Sequence, residues 1–275
     1  MNLLDIKPHK VTQGTLGKHF LIYGPPSTRK TTVASNFPRP LLLATEVGYS
    51  FIENVKAINI ESWYQFREAV EQLKRQEVRD TYDTIVIDTL SLLSEQCVTY
   101  VNNKLGIKDL SEAGWGKGWK EYKKEMSTTF NLIAQKGYGI VFIAHSKEER
   151  NDEGELTGAQ PGIDNSTLNI VNPLVDFVFF LNKEESEPGI PSVFAYSGLS
   201  KTFLTKSRVR GLEKRIEFTY DNLESAIIDA ISKSGVETAE KVERDYAPKV
   251  TLEELKASIN EYAVKAKDLG VLGQA

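Results

Sequence analysis

The sequence predicts an α/β fold, a mainly parallel sheet flanked by helices with antiparallel hairpins at the C-terminal edge. Three observations carry this expectation. His19 to Tyr23, Leu41 to Ala44, Thr84 to Ile87 and Gly139 to Ala144 are short apolar runs rich in β-branched and aromatic residues, which read as strands buried on both faces. Between them Trp63, Phe66, Val70 and Leu73, and later Tyr122, Met126, Phe130 and Ile133, recur at helical spacing. Strands alternating with such helices pack as a parallel sheet. After about Val175 the rhythm changes to four strand-like runs: Val175 to Leu181, Ser192 to Tyr196, Thr202 to Lys206 and Arg215 to Tyr220. Short turns holding Pro188, Gly189, Pro191, Gly198 and Gly211 join them, the pattern of hairpins.

A further helix presents Leu223, Ala226, Ile227, Ala230 and Ile231 on one face. A last one opens at Thr251, with Glu254 at capping-box spacing. Residues 1–235 are therefore expected to form the core domain, and residues 236–275 a charged connector with a helical extension.

The 275 residues carry 34 Lys+Arg against 38 Asp+Glu and are 40% hydrophobic, a balance that excludes a disordered, collagen-like or uniformly basic protein. The single cysteine cannot form an internal disulfide, and Cys97 shares an apolar helical face with Leu93 and Val101, so it reads as core. No apolar stretch approaches the roughly 18 to 20 residues of a membrane span, and no basic segment leads into an apolar one at the N-terminus. The expected compartment is the cytoplasm.

Directly after the first strand comes Gly24-Pro25-Pro26-Ser27-Thr28-Arg29-Lys30-Thr31-Thr32. It meets the P-loop pattern at every fixed position but one, since Arg29 stands where the second glycine belongs. In such a loop Gly24 permits the exit from the strand, backbone N–H groups cradle phosphates, Lys30 reaches the β/γ-phosphates of ATP and Thr31 ligates Mg2+. Arg29 should cost backbone strain or occupy phosphate space, and its guanidinium either damages nucleotide binding or hydrolysis, points outward, or adds a cation for the phosphates.

Asp88 ends the Thr84 strand and is the second Mg2+ candidate, in the Walker B arrangement. Glu46, after the Leu41 strand, reads equally as the carboxylate that polarises the attacking water or as a surface-loop residue. His145, one of 3 histidines, ends the Gly139 strand and reads either as a γ-phosphate contact or as a structural side chain. Two segments are candidates for nucleic acid. Gly114 to Lys124 interleaves Trp115, Lys117, Trp119 and Lys120, cations and stacking faces together, although Trp119 and Tyr122 are also placed to start a core helix. Lys147 to Asn169 is a long polar stretch, expected as a loop, in which Lys147 and Arg150 are set among Glu148, Glu149, Asp152, Glu153 and Glu155.

This order of P-loop, glutamate, Asp-ending strand, His-ending strand and polar loop resembles the RecA-like core ATPases. With Glu46-Val47-Gly48, Gly114 to Trp119, Ile143-Ala144-His145 and Thr205-Lys206-Ser207-Arg208, it looks like the phage-encoded AAA/RecA-type nucleotide-binding proteins that include core-only single-strand annealing proteins. The resemblance spans roughly Gly14 to Glu224 and implies a RecA-like P-loop core. It makes Glu46 the catalytic carboxylate and His145 the phosphate sensor. Lys206 and Arg208 become the cations that complete a neighbour's ATP site, in the manner of an arginine finger, where bare residues also allow a charge-protected edge strand.

The implied ligands are ATP and Mg2+. The implied partners are single-stranded DNA, further copies of the chain in a ring or filament with ATP at the subunit interface, and a phage single-strand-binding protein, in the cytoplasm of an infected bacterium. The implied activity is ATP-dependent recombination or repair, with strand annealing as its form. A nucleotide-binding scaffold or regulator with hydrolysis impaired by Arg29 is the alternative. A small-molecule kinase is the third reading, and no Arg-rich lid supports it.

Overall fold

The computed structural model describes residues 10–187 and 190–239, together with 256, 259 and 260. The chain divides into two compact units, Met1–Glu243 and Arg244–Ala275. The helix expected from Thr251, with its capping box, lies outside the described residues apart from those three positions.

The first unit is built on a sheet of ten strands among the described residues. Its parallel part runs β8 (Phe177–Glu187), β2 (His19–Gly24), β6 (Gly139–Arg150), β5 (Thr84–Asp88), β3 (Pro40–Ala44) and β4 (Ala57–Asn59), in that spatial order. β9 (Ile190–Tyr196) and then β11 (Arg215–Glu217) extend the β8 side antiparallel, and β10 (Lys206–Ser207) also pairs with β8. This is the expected architecture.

Alternation along the strands divides the core in two. Leu21, Tyr23, Ile85, Ile87, Ile140 and Phe142 face one side. There they meet α2 (Trp63–Gln72), α4 (Leu90–Leu105), α5 (Lys117–Gln135) and α6 (Asn165–Leu174) through Trp63, Cys97, Phe130 and Val171. Phe20, Ile22, Val86, Val141 and Ile143 face the other side, covered by α1 (Lys30–Ala34) and α7 (Tyr220–Lys233) through Val33, Leu223 and Ile227. Three helix starts, those of α2, α6 and α7, are fixed locally: Ser62, Asp164 and Thr219 accept the backbone N–H three residues on, from Gln65, Thr167 and Asn222. A short α3 (Gln76–Thr81) leads into β5.

Three expectations are corrected. Lys147 to Asn169 is no loop: β6 continues to Arg150, turns, and returns as β7 (Leu156–Pro161), after which α6 begins. The hairpin satisfies its backbone by cross-strand pairing, helped by Asn151 and Arg150 in the turn and by the Thr202 carbonyl, without an apolar run to announce it. Thr202 to Lys206 is not a full strand, since Phe203 makes one bridge to Ala159 and regular pairing starts only at Lys206. β11 stops at Glu217, because Thr219 caps α7 and Tyr220 is already helical. β1 (Val11–Thr12) pairs in parallel with β12 (Thr238–Ala239).

Cys97 is fully buried and its thiol is pushed up by that burial, so alkylation should require unfolding. A thiol reagent added across a urea titration checks this: labelling should follow the loss of circular dichroism. Phe142, fully buried against Phe130 at a ring distance of 4.9 Å, should cost about 3–5 kcal/mol when replaced by Ala, read from the same titration.

Candidate nucleotide-binding site

Register determines what meets at the carboxyl ends of the strands. Gly24 of β2 lies opposite His145 of β6, and Asp88 of β5 lies opposite Ala44 of β3, with Glu46 two residues beyond. Pro26 to Thr32, Glu46, Gly48, Asp88, Thr89 and His145 line one cleft of about 430 Å3. The crevice outside the carboxyl ends of such strands is where α/β sheets bind ligands.

The loop between β2 and α1 begins at Gly24, where a Cβ would stand 2.7 Å from the Cβ of Leu181 on β8. Close approach of the neighbouring strand therefore requires glycine here, rather than an unusual turn. Ser27 and Arg29 both have left-handed backbone, with φ of 61° and 59°. Thr28 is buried and its hydroxyl donates to the Pro25 carbonyl at 2.8 Å, which pins the bend.

Lys30, 7% exposed, donates through Nζ to the carbonyls of Gly24 (2.9 Å) and Pro25 (2.8 Å). Burial lowers its pKa to about 8, against the attraction of Asp88 and Glu46 and with repulsion from Lys183. Thr31 Oγ1 donates to Asp88 Oδ2 at 2.6 Å, which ties the P-loop to the end of β5. Burial foremost, with the Glu46 charge added, holds the Asp88 carboxyl above its ordinary range. A hydroxyl and a carboxylate this close suit Mg2+, which takes few protein ligands and completes its shell with phosphate oxygens and water. Among the described residues no group of three or more His, Cys, Asp or Glu forms a separate metal cage.

Glu46 is held from the side. Thr89 Oγ1 donates to Glu46 Oε1 at 2.9 Å, while the Thr89 backbone N–H donates to Thr45 Oγ1 at 2.8 Å. His145 Nε2 stands 3.6 Å from Glu46 Oε1, and its Nδ1 is buried without a hydrogen-bond partner among the described residues. The Gly162 N–H donates to the His145 carbonyl at 2.7 Å, so the start of α6 is attached to this strand end. Thr89 and Lys183 were missed in the sequence. A hydroxyl directly after the strand-ending Asp88 was an available signal for the first, but nothing local marks the second.

Lys206 and Arg208 are not in this cleft. Lys206 pairs beside Val178 near the beginning of β8, and Arg208 follows it. By register Lys206 lies about 10 Å, and Asp176, the partner of Arg208, about 17 Å, from Gly24 along β2. Lys206 Nζ donates to the carbonyls of Asn172 and Val175, and Arg208 to Asp176 (2.9 Å) and the Pro173 carbonyl (2.6 Å).

Of the nucleic-acid candidates, Trp115 is fully exposed on a turn where Gly114, Trp115 and Gly116 all have positive φ. Lys117 and Lys120 are exposed on the first turn of α5. Trp119 is 38% exposed while Tyr122 is fully buried. Lys147 is exposed, but Arg150 is held by Glu148 (2.8 Å) and the Gly154 carbonyl (2.9 Å).

These features define a P-loop nucleotide-binding protein. Residues 16–209 match the family AAA_24, an AAA domain, and the chain belongs to that family. It is 26% identical over 279 residues to the SPbeta prophage-derived uncharacterized protein YorG of Bacillus subtilis (strain 168), covering 95% of this chain and 84% of that one. Among solved structures, the flagellar accessory protein FlaH from Methanocaldococcus jannaschii is similar at TM-score 0.41 and 14% identity, over 74% of this chain and 85% of its own. The RadB recombinase is similar at TM-score 0.43 and 13% identity, over 76% and 90%. No described helix is long and apolar enough to cross a membrane.

The lowered pKa of Lys30 has a signed consequence. Phosphate favours the charged amine, so binding above pH 8 takes up a proton and ATP affinity falls as pH rises through about 8. Calorimetry near pH 9 in buffers of different ionisation enthalpy should show this uptake, and Lys30→Arg, which stays charged, should remove it.

Proposed function

We propose that the protein is a RecA-like ATPase that binds ATP with Mg2+, hydrolyses it, and acts on single-stranded DNA in phage recombination or repair by promoting strand annealing. The observation that carries the reading is the convergence of Lys30, Thr31, Asp88, Glu46 and His145 on one cleft. Mg2+, held between Thr31 and Asp88, would polarise the transferring phosphoryl group. Lys30 neutralises the β/γ-phosphates. Glu46, oriented by Thr89, takes the proton of the attacking water, and His145 beside it meets the γ-phosphate and responds to its loss. The prophage origin of the Bacillus relative supports the phage setting.

The proposed DNA surface is Trp115 with Lys117 and Lys120, joined by Lys147. An exposed indole stacks on bases of any sequence while amines pair with phosphates. Arg150, engaged within its own hairpin, contributes less. Lys206 and Arg208 lie at the end of the sheet opposite their own P-loop, the placement that head-to-tail assembly needs to bring them to a neighbour's cleft. Their entry into that cleft would exchange local carbonyl partners for phosphate. The left-handed Arg29 favours the second reading, a nucleotide-binding scaffold or regulator with impaired hydrolysis.

ATP turnover measured with and without single-stranded DNA tests the choice. DNA-stimulated turnover that disappears in Glu46→Gln, with nucleotide binding retained, supports the enzyme. Binding without turnover in the wild type supports the regulator. For DNA binding, Trp115→Ala should cost about 1–3 kcal/mol, and Lys117→Ala with Lys120→Ala should flatten the log–log salt slope by about 1.4, read by fluorescence anisotropy. Unchanged affinity and slope would remove this surface.

A further inference from the structure

Arg29 occupies a left-handed backbone conformation, φ 59° and ψ 24°, that is strained for a residue with a Cβ and free for glycine. Its side chain returns nothing to the fold. It is exposed, and it makes no hydrogen bond or ion pair with any described residue. It does line the cleft, beside Lys30, Thr31 and Asp88.

The charges of that cleft are unbalanced without it. Its lining holds Arg29 and Lys30 as cations and Glu46 and Asp88 as carboxylates. Lys30 is already turned onto the Gly24 and Pro25 carbonyls, and Lys206 and Arg208 are engaged at the other end of the sheet. With glycine at position 29, Lys30 would be the one Lys or Arg lining the cleft, facing two carboxylates and a polyphosphate with only Mg2+, His145 and Lys183, outside the lining, to offset them. Arg29 brings a planar, permanently charged fork suited to paired phosphate oxygens.

We propose that Arg29 is a phosphate-binding cation built into the P-loop, and that it gives the site a preference for nucleoside triphosphate over diphosphate within a single chain. This rests on the P-loop reading above. It assigns Arg29 to binding and leaves turnover to Glu46 and to any neighbour's cations. The added cost of the left-handed backbone is offset only when the guanidinium holds phosphate. The expected preference is about 10- to 100-fold, the size of one or two charge-assisted hydrogen bonds.

The test is equilibrium binding of fluorescent ATP and ADP analogues, with Mg2+, to the full-length wild type, Arg29→Gly, Arg29→Lys and Lys30→Ala. Arg29→Gly should weaken ATP at least about tenfold and ADP less than about threefold, with Arg29→Lys between. Arg29→Gly relieves a left-handed residue, so it should melt no lower than wild type, and its loss of affinity is then a loss of contact. The wild-type ratio of ATP to ADP affinity should not change with protein concentration.

If Arg29→Gly binds ATP as well as or better than wild type while Lys30→Ala loses it, Arg29 is an obstruction or a bystander and the inference fails while the P-loop reading stands. If wild type and Lys30→Ala are alike, the P-loop reading fails and takes the inference with it.

Discussion

Parallel pairing in one register across β3, β5, β6 and β2 is the constraint on which everything else depends. Gly24 is opposite His145, Ile143 opposite Asp88, and Asp88 opposite Ala44, so β2, β5 and β3 end, and β6 leaves the parallel sheet, within a residue or two of one another. A one-residue slip in any of them would turn its apolar set from one helical layer to the other and remove a functional side chain from the cleft. Such a slip is resisted because both faces are buried: Phe20, Ile22, Val141 and Ile143 on one side, Leu21, Tyr23, Ile140 and Phe142 on the other, all fully covered. The apolar core thus positions the polar site.

Side-chain bonds then join the strand ends. Thr31 ties the P-loop to β5 through Asp88, and Thr45 and Thr89 tie β3 to β5 with Glu46 held beside them. The same contacts continue toward the proposed DNA surface. Gly162 binds His145, Ser91 at the start of α4 donates to the Gly162 carbonyl, and Asp164 caps α6 while accepting from Tyr122 of α5. Trp115 and Lys117 stand at the head of that same helix. A contiguous path of packed and hydrogen-bonded groups therefore links the nucleotide cleft to the exposed indole, a physical basis for coupling between them.

The buried strands were legible because residues covered on both faces must be apolar along their whole length, and the P-loop, Glu46, Asp88 and His145 because each follows such a strand directly. The β6–β7 hairpin was not, since only Ala159 and Leu156 of β7 reach the core while Glu148, Glu149 and Glu155 lie in the paired, polar part of the hairpin. Gly118 illustrates the same limit. In sequence it belongs to a glycine-rich turn, yet a Cβ there would stand 2.2 Å from the Leu110 carbonyl, so it is required by the packing of α5. Lys206 and Arg208 were visible as cations, but their partners at Asn172 to Asp176 lie some thirty residues earlier and meet them only through β10 and β8.

The central claim is that this register makes one Mg2+–nucleotide site from Thr31 and Asp88. Calorimetric titration of ATP with and without Mg2+, on the wild type and on Asp88→Asn, tests it most directly. Mg2+ should tighten ATP by about tenfold or more in the wild type and have little effect in Asp88→Asn, whose Mg2+-free binding persists. An equal Mg2+ gain in both proteins would contradict the account.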